Sequence, residues 1–196
     1  MKVKICGIKD LKTALVACQL GADAIGFVFA SSKRQITVQQ AKEVSEFIPN
    51  NVKKVGVFVN ETIDRIQEIA SITKLDMIQL HGQETEQFCE AIHLPVIKAF
   101  SVTSIENMQR INKFKVPLYL LDSAQAGSGQ TFDWQLLKDK DVQKSKLMLA
   151  GGLTPENVNQ AIKLVKPAWV DVSSGVETNG YKDLKKIRDF IYNAKR

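Results

Sequence analysis

The stretch "KLMLAGGLTPENVNQAIKLVKPAWVDVSSG", residues 146–175, decides how the rest of the chain is read. "KLMLA" is an apolar run of strand length, and "AWVDVS" (168–173) is a second. Between them Val158, Ala161, Ile162 and Val165 recur at helical spacing. Thr154 stands at an N-cap position, Pro155 at the first helical position and Glu156 in the first turn, so a helix is expected to start there. Strand, helix, strand in so short a span predicts two parallel strands joined by a covering helix.

The same alternation runs back to the N-terminus. Further strand candidates are "KVKIC" (2–6), "DAIGFVF" (23–29), "VKKVGVFV" (52–59), "LDMIQL" (75–80), "PVIKAF" (95–100) and "PLYLLD" (117–122). Helical patterns separate them, as at Ile63, Ile66 and Ala70, and Gly21 fits a C-cap after the first. The stretch "ETEQFCEAI" (84–92) also reads as helical. "SVTSIENMQRINKF" (101–114) is less cleanly periodic, and the segment after the sixth strand holds a short helix at most. Eight such units predict an α/β chain folded as one compact (β/α)8 barrel over residues 1–196, with an open doubly wound sheet as the alternative. At 196 residues the chain is short against the ~250 typical of such barrels, so its loops must be trimmed.

Composition narrows the function classes. No stretch approaches the ~20 apolar residues of a membrane span, and the N-terminus lacks a signal-peptide pattern, so a cytoplasmic protein is expected. The net charge of +6 suits an anionic small substrate. The densest basic stretch, "KDLKKIRDFIYNAKR", reads as the wet face of a helix carrying Leu184, Ile187 and Ile191, so no nucleic-acid partner is inferred. Three cysteines without C-x-x-C spacing and two histidines, His81 and His93, offer no zinc cluster, and no metal is expected. Cys18 and Cys89 fall on helical stretches as structural residues, whereas Cys6 stands at a strand end.

In a barrel of this type the chemistry gathers at the C-terminal ends of the strands. Strand one ends in Cys6-Gly7, strand four runs into "QLHG" and strand six ends in Asp122. Strands seven and eight run into Gly151-Gly152 and Ser173-Ser174-Gly175. The glycines permit close backbone approach, and free N–H groups with serine hydroxyls suit a phosphate cradle. Cys6 and Asp122 stand as a thiol and a carboxyl on opposite sides of the ring, a disposition for general acid–base work at two positions of one ligand. A thiolate can act as base where positive charge lowers its pKa toward neutrality. Taken singly, Cys6 could be core filling and Asp122 a structural carboxylate.

These stretches carry a resemblance. "KICGI", "GADAIGFVF", "SKRQI", "VGVFVN", "QLHGQE", "LLDS", "GSGQTFDW", "AGGLTPENV" and "DVSSGVE" occur in the order found in the phosphoribosylanthranilate isomerase family of tryptophan biosynthesis. The resemblance covers essentially the whole chain. It implies a barrel without cofactor or metal, acting on a small phosphorylated substrate as monomer or homodimer. It implies Asp122 as general acid, Cys6 as general base, and Arg34 facing the anthranilate carboxylate. His81 would line the site or cap its loop; Asp171 would point to the site or into the barrel. Residues 127–129 would form a mobile cover, with Ala126 where many relatives carry glycine. Aminoaldose isomerases of the histidine pathway share the cradle but typically use paired aspartates, which Cys6 argues against. A barrel that only binds ligands would not need both Cys6 and Asp122.

Overall fold

The computed structural model describes residues 1–102, 111–123, 134–137 and 143–196. Eight parallel strands pair in sequence order and close on themselves. They are β1 (Lys2–Cys6), β2 (Ala24–Val28), β3 (Lys53–Phe58), β4 (Met77–Leu80), β5 (Val96–Val102), β6 (Leu118–Ser123), β7 (Leu147–Leu149) and β8 (Trp169–Val172). The last strand returns to the first in a register from Lys2–Trp169 to Ile5–Val172. The closed barrel is thus the observed alternative, not the open sheet, and none of its eight strands is left with an unpaired edge.

Among the described residues the helices are α1 (Leu11–Gln19), α2 (Val38–Ser45), α3 (Ile63–Thr73), α4 (Glu86–Glu90), α5 (Val158–Val165) and α6 (Leu184–Lys195). Most start on a side-chain cap: Asp10, Thr37, Thr62, Thr85 and Asp183 each accept a hydrogen bond from an otherwise orphaned N–H of the first turn. None of these helices is long and apolar enough to cross a membrane.

Strand alternation divides the apolar residues into two layers. Val3, Ile5, Ile25 and Phe27 pack outward against Ala14, Ala17, Ile66, Val158, Ile187 and Phe190 of the helices. Ala24, Val55, Ile97, Ala99, Leu118, Leu120, Met148, Ala150 and Trp169 fill the barrel. Lys2 lies over the Trp169 ring at 5.1 Å, at the end of the barrel where the strands begin. Toward the other end the filling turns polar, with Lys4, Gln79, Asp122 and Asp171 all buried.

Two helix starts differ from expectation, each for a local reason. The regular part of α5 begins at Val158 with Asn157 as its cap, not at Pro155. The Asn157 side chain accepts from the Thr154 N–H at 2.8 Å and donates to the Gly152 carbonyl at 2.9 Å. That ties the Gly-Gly loop to the helix, while Thr154 Oγ1 organises the preceding turn by accepting from the Glu156 N–H at 3.2 Å. Helix α4 keeps only Glu86–Glu90 of the expected 84–92 stretch. Glu84 is drawn out of it by the buried Lys98 ammonium at 2.9 Å and by the Asn60 N–H at 2.8 Å.

Gly175 marks where the loops after β7 and β8 touch, since a β-carbon there would run into the Leu153 carbonyl oxygen. Gly175→Ala is expected to lower unfolding free energy by roughly 1–3 kcal/mol, the usual cost of overpacking, measurable by urea denaturation. An unchanged midpoint would mean the two loops can part freely.

Candidate active site

Cys6 ends β1, and Asp122 lies one residue before the end of β6. In the ring only β7 and β8 separate β6 from β1, so the two residues are three strands apart and not diametrically opposed as expected. The loops of the intervening strands carry Gly151-Gly152 and Ser173-Ser174-Gly175, which places the candidate cradle between thiol and carboxyl. One cleft is lined by Asp122, Gly151, Gly152, Asp171, Ser173 and Ser174. Cys6 joins it through Ser173, whose hydroxyl donates to the Cys6 carbonyl at 3.1 Å.

The cradle has the donors an anion needs. Among the described residues no protein group accepts from the N–H groups of Gly152, Ser174 and Gly175. Gly151 adopts a φ of +82°, and a side chain there would meet the Ser123 N–H at 2.5 Å. Only glycine combines that left-handed backbone with so close an approach. Backbone N–H groups left open in this way, at the edge of a short helical turn, suit a phosphate or other oxyanion.

Below the cleft sits a charge cluster. Lys4, fully buried, donates to Asp171 Oδ1 at 2.8 Å. Asp171 therefore does both things left open for it: it lines the cleft and pairs inside the barrel. Burial works against the Lys4 charge, but the Asp171 carboxylate and the Cys6 thiol outweigh it and raise the lysine's pKa. Burial pushes the Cys6 thiol up; the Lys4 charge opposes this and Asp171 adds to it. Gly26 on β2 makes this crowding feasible, since a β-carbon there would lie 2.8 Å from Cys6 Sγ and 3.2 Å from Lys4 Cε.

Asp122 is pushed up to about 6, chiefly by desolvation, although Oδ1 accepts from the Ser123 N–H at 2.8 Å. Its Oδ2 lies 3.6 Å from His81 Nε2. Burial first, then nearby lysines, holds His81 down to about 4, so the ring is neutral at pH 7 and the approach is not an ion pair. Two residues back along β4, Gln79 Nε2 lies 3.0 Å from His81 Nδ1.

Arg34 approaches from the loop after β2 and packs against Gly7, where a β-carbon would lie 2.8 Å from its Cδ. Its Nε and Nη2 already donate to the two carboxylate oxygens of Glu177, at 2.7 and 3.0 Å. Glu177 also pairs with Lys182 at 2.8 Å, and Lys182 donates to the Ser173 carbonyl at 2.9 Å. This network depends on a small hairpin, β9 (Glu177–Thr178) with β10 (Tyr181–Lys182), closed by Asn179-Gly180. Both turn residues have positive φ, the conformation an Asn-Gly hairpin turn requires.

Lys4, Gln79, Glu177 and Lys182 were missed in the sequence, yet each left a trace. Lys4 and Gln79 stand two residues before Cys6 and His81 and so share the inward face of their strands. "NG" between Thr178 and Tyr181 is a hairpin signal that returns Lys182 to Glu177. Among the described residues no group of three His, Cys, Asp or Glu is placed to hold a metal ion. The expected cover at 127–129, and Ala126 with it, lie outside the described residues.

The family model for N-(5'-phosphoribosyl)anthranilate (PRA) isomerase matches residues 3–193. The chain belongs to the PRA isomerase family. A PRA isomerase of Bacillus cereus is 48% identical over 199 residues, covering 98% of each chain. The crystal structure of the enzyme from Thermotoga maritima superposes with a TM-score of 0.91 at 43% identity, covering 100% of this chain and 98% of its own. A PRA isomerase solved in complex with reduced 1-(o-carboxyphenylamino)-1-deoxyribulose 5-phosphate gives 0.88 at 43% identity over the same shares. The barrel of this chain is therefore the PRA isomerase barrel.

The carboxyl of Asp122 makes the site costly to fold. Its pKa rises from 3.8 to about 6, so its contribution is most favourable below about pH 4 and is lost as pH rises through about 6. Asp122→Asn removes that dependence. Relative to the parent, the variant should gain on the order of 2 kcal/mol of unfolding free energy between pH 4 and pH 8. Parallel urea curves across that range would rule out the raised carboxyl.

Proposed function

We propose that this chain is an isomerase of tryptophan biosynthesis that performs an Amadori rearrangement, converting N-(5-phosphoribosyl)anthranilate into 1-(2-carboxyphenylamino)-1-deoxyribulose 5-phosphate. The observation that carries the reading is a carboxyl with a raised pKa and a thiol beside a buried ammonium, set on either side of three backbone N–H groups that have no acceptor among the described residues. Family membership supplies the substrate class.

The phosphate is held by the loops Gly151-Gly152 and Ser173-Ser174-Gly175. Asp122 gives its proton to the ribose ring oxygen, the C1–O bond breaks, and the anthranilate nitrogen forms an iminium with C1. That cation acidifies the C2–H bond, and the Cys6 thiolate removes the proton. The electron pair of the C2–H bond becomes the C1–C2 double bond as the C1–N π pair returns to nitrogen, and the resulting enolamine tautomerises to the ketone by gaining a proton at C1 and losing the one on the C2 hydroxyl. C2 is oxidised and C1 reduced within one molecule, so the balance closes without a cofactor or external redox partner. The active form pairs a protonated Asp122 with a thiolate at Cys6; burial keeps the resting group a thiol, and the Lys4 charge opposes that and favours the thiolate when the proton leaves. Arg34 faces the anthranilate carboxylate with Nη1 and the remaining hydrogen of Nη2, its Nε–H and one Nη2–H being held by Glu177; a planar guanidinium locked on one side offers its free edge in one orientation. Asp171 lines the cleft around the ribose, and His81 stands beside it against Asp122.

Cys6→Ser and Asp122→Asn should each lower kcat by at least ~100-fold, the effect expected of a positioned acid or base. Near-normal turnover by either purified variant would overturn its role. Arg34→Ala should raise KM for substrate, and unchanged affinity for an anthranilate-bearing product analogue would remove the carboxylate assignment. The parent gene should restore growth of a tryptophan auxotroph lacking this isomerase, with the Cys6→Ser gene failing to do so.

A further inference from the structure

The polar filling of the barrel holds two buried atoms that have no hydrogen-bond partner among the described residues and lie on neighbouring side chains, Gln79 Oε1 and His81 Nε2. Both residues belong to one inward-facing row, at and just after the end of β4, and Gln79 is 1% exposed. The His81 backbone is tied down by donation of its N–H to the Phe58 carbonyl at 2.9 Å, which fixes where the side chain leaves the chain. Its Nδ1 faces the Gln79 amide nitrogen and its Nε2 faces Asp122.

An amide nitrogen only donates, so the Nδ1 opposite it must present a lone pair. The one proton of a neutral imidazole then sits on Nε2, directed at Asp122 Oδ2. We infer that Gln79 is a positioning residue that fixes His81 in the Nε2–H tautomer and so decides what the imidazole shows to the acid Asp122. The inference rests on the reading of Asp122 as the proton donor given above.

The consequence is chemical. With the proton on Nδ1, the Nε2 lone pair would accept the Asp122 proton in a hydrogen bond and divert it from substrate. With the proton on Nε2, His81 has no lone pair there to offer. It becomes a donor to the carboxylate left behind once Asp122 has delivered its proton, alongside the Ser123 N–H. The gap of 3.6 Å is one that a change in charge on Asp122 would close. The charged groups acting on the ring come from several strands: Asp122 of β6, Asp171 of β8, Lys4 of β1, Lys98 of β5, and Glu84 of the loop after β4. Desolvation outweighs them and keeps the ring neutral across the working range.

The chain has two histidines, which makes the tautomer directly readable. Protein labelled with ring 15N-histidine, with His93→Asn used to assign the signals, should show His81 at pH 7 as neutral, with Nε2 protonated and Nδ1 a hydrogen-bonded acceptor. A protonated Nδ1, or an imidazolium at that pH, overturns the inference without touching the roles of Asp122 and Cys6. Gln79→Met keeps the volume but removes the donor; it should populate the second tautomer and lower kcat by about 10-fold, the effect of one misdirected hydrogen bond, with KM within about 2-fold. The same variant should displace the high-pH limb of the kcat profile, which a merely structural residue would leave in place. A variant with unaltered ring signals and unaltered kcat overturns it equally. If instead Asp122→Asn retains turnover while the ring signals are as expected, the proton-donor reading fails and the tautomer assignment stands.

Discussion

The pairing of β8 with β1 is the constraint on which everything else depends. Residues 167 apart in sequence are brought to hydrogen-bond distance by it: Lys4 with Asp171, and Ser173 with the Cys6 carbonyl. Without closure the thiol would sit on an open edge, far from the loops that provide anion-binding donors. Closure also excludes water from the barrel interior, and that exclusion raises the Asp122 and Cys6 pKa values.

A polar barrel interior is an expensive arrangement. Lys4, Gln79, Asp122 and Asp171 occupy positions that apolar side chains fill toward the other end of the barrel. The Lys4–Asp171 pair offsets part of the desolvation of both charges, yet a buried pair is weak support for stability by itself. Its value lies in the field it places beneath Cys6. The apolar layer between strands and helices supplies the stability that permits this, and sites that sacrifice stability for function in this way are common. The Arg34–Glu177–Lys182 network applies the same logic at the rim, where it braces the loop after β2 against the loop after β8.

Much of the fold was legible because parallel strands covered by helices leave a clear record. Each of the eight apolar runs became a strand, and Gly151, Gly152, Ser173 and Ser174 came together in one cleft with Asp122 and Asp171. Helix starts were less legible. At Thr154 and Glu84 the local signal was real, but a side chain from elsewhere, or the far end of the same turn, competed for the group. The relation of Cys6 to Asp122 was misjudged, although eight strands closing in sequence order already set strands one and six three apart along the shorter arc.

By itself the sequence determined the alternation of strand and helix, the number of units, and the strand ends at which polar residues gather, because hydrophobic periodicity and glycine placement act over a few neighbouring residues. It also carried the inward-facing rows Lys4–Cys6 and Gln79–His81, since side chains two apart on a strand must share a face. Only the tertiary structure decided that Arg34 is held by Glu177, that Lys4 is paired with Asp171, and that the His81 ring stands between Gln79 and Asp122. Those pairings join residues from different strands and loops. Their partners are chosen by barrel closure and by the shedding of water from its interior, which are properties of the whole ring and not of any segment within it.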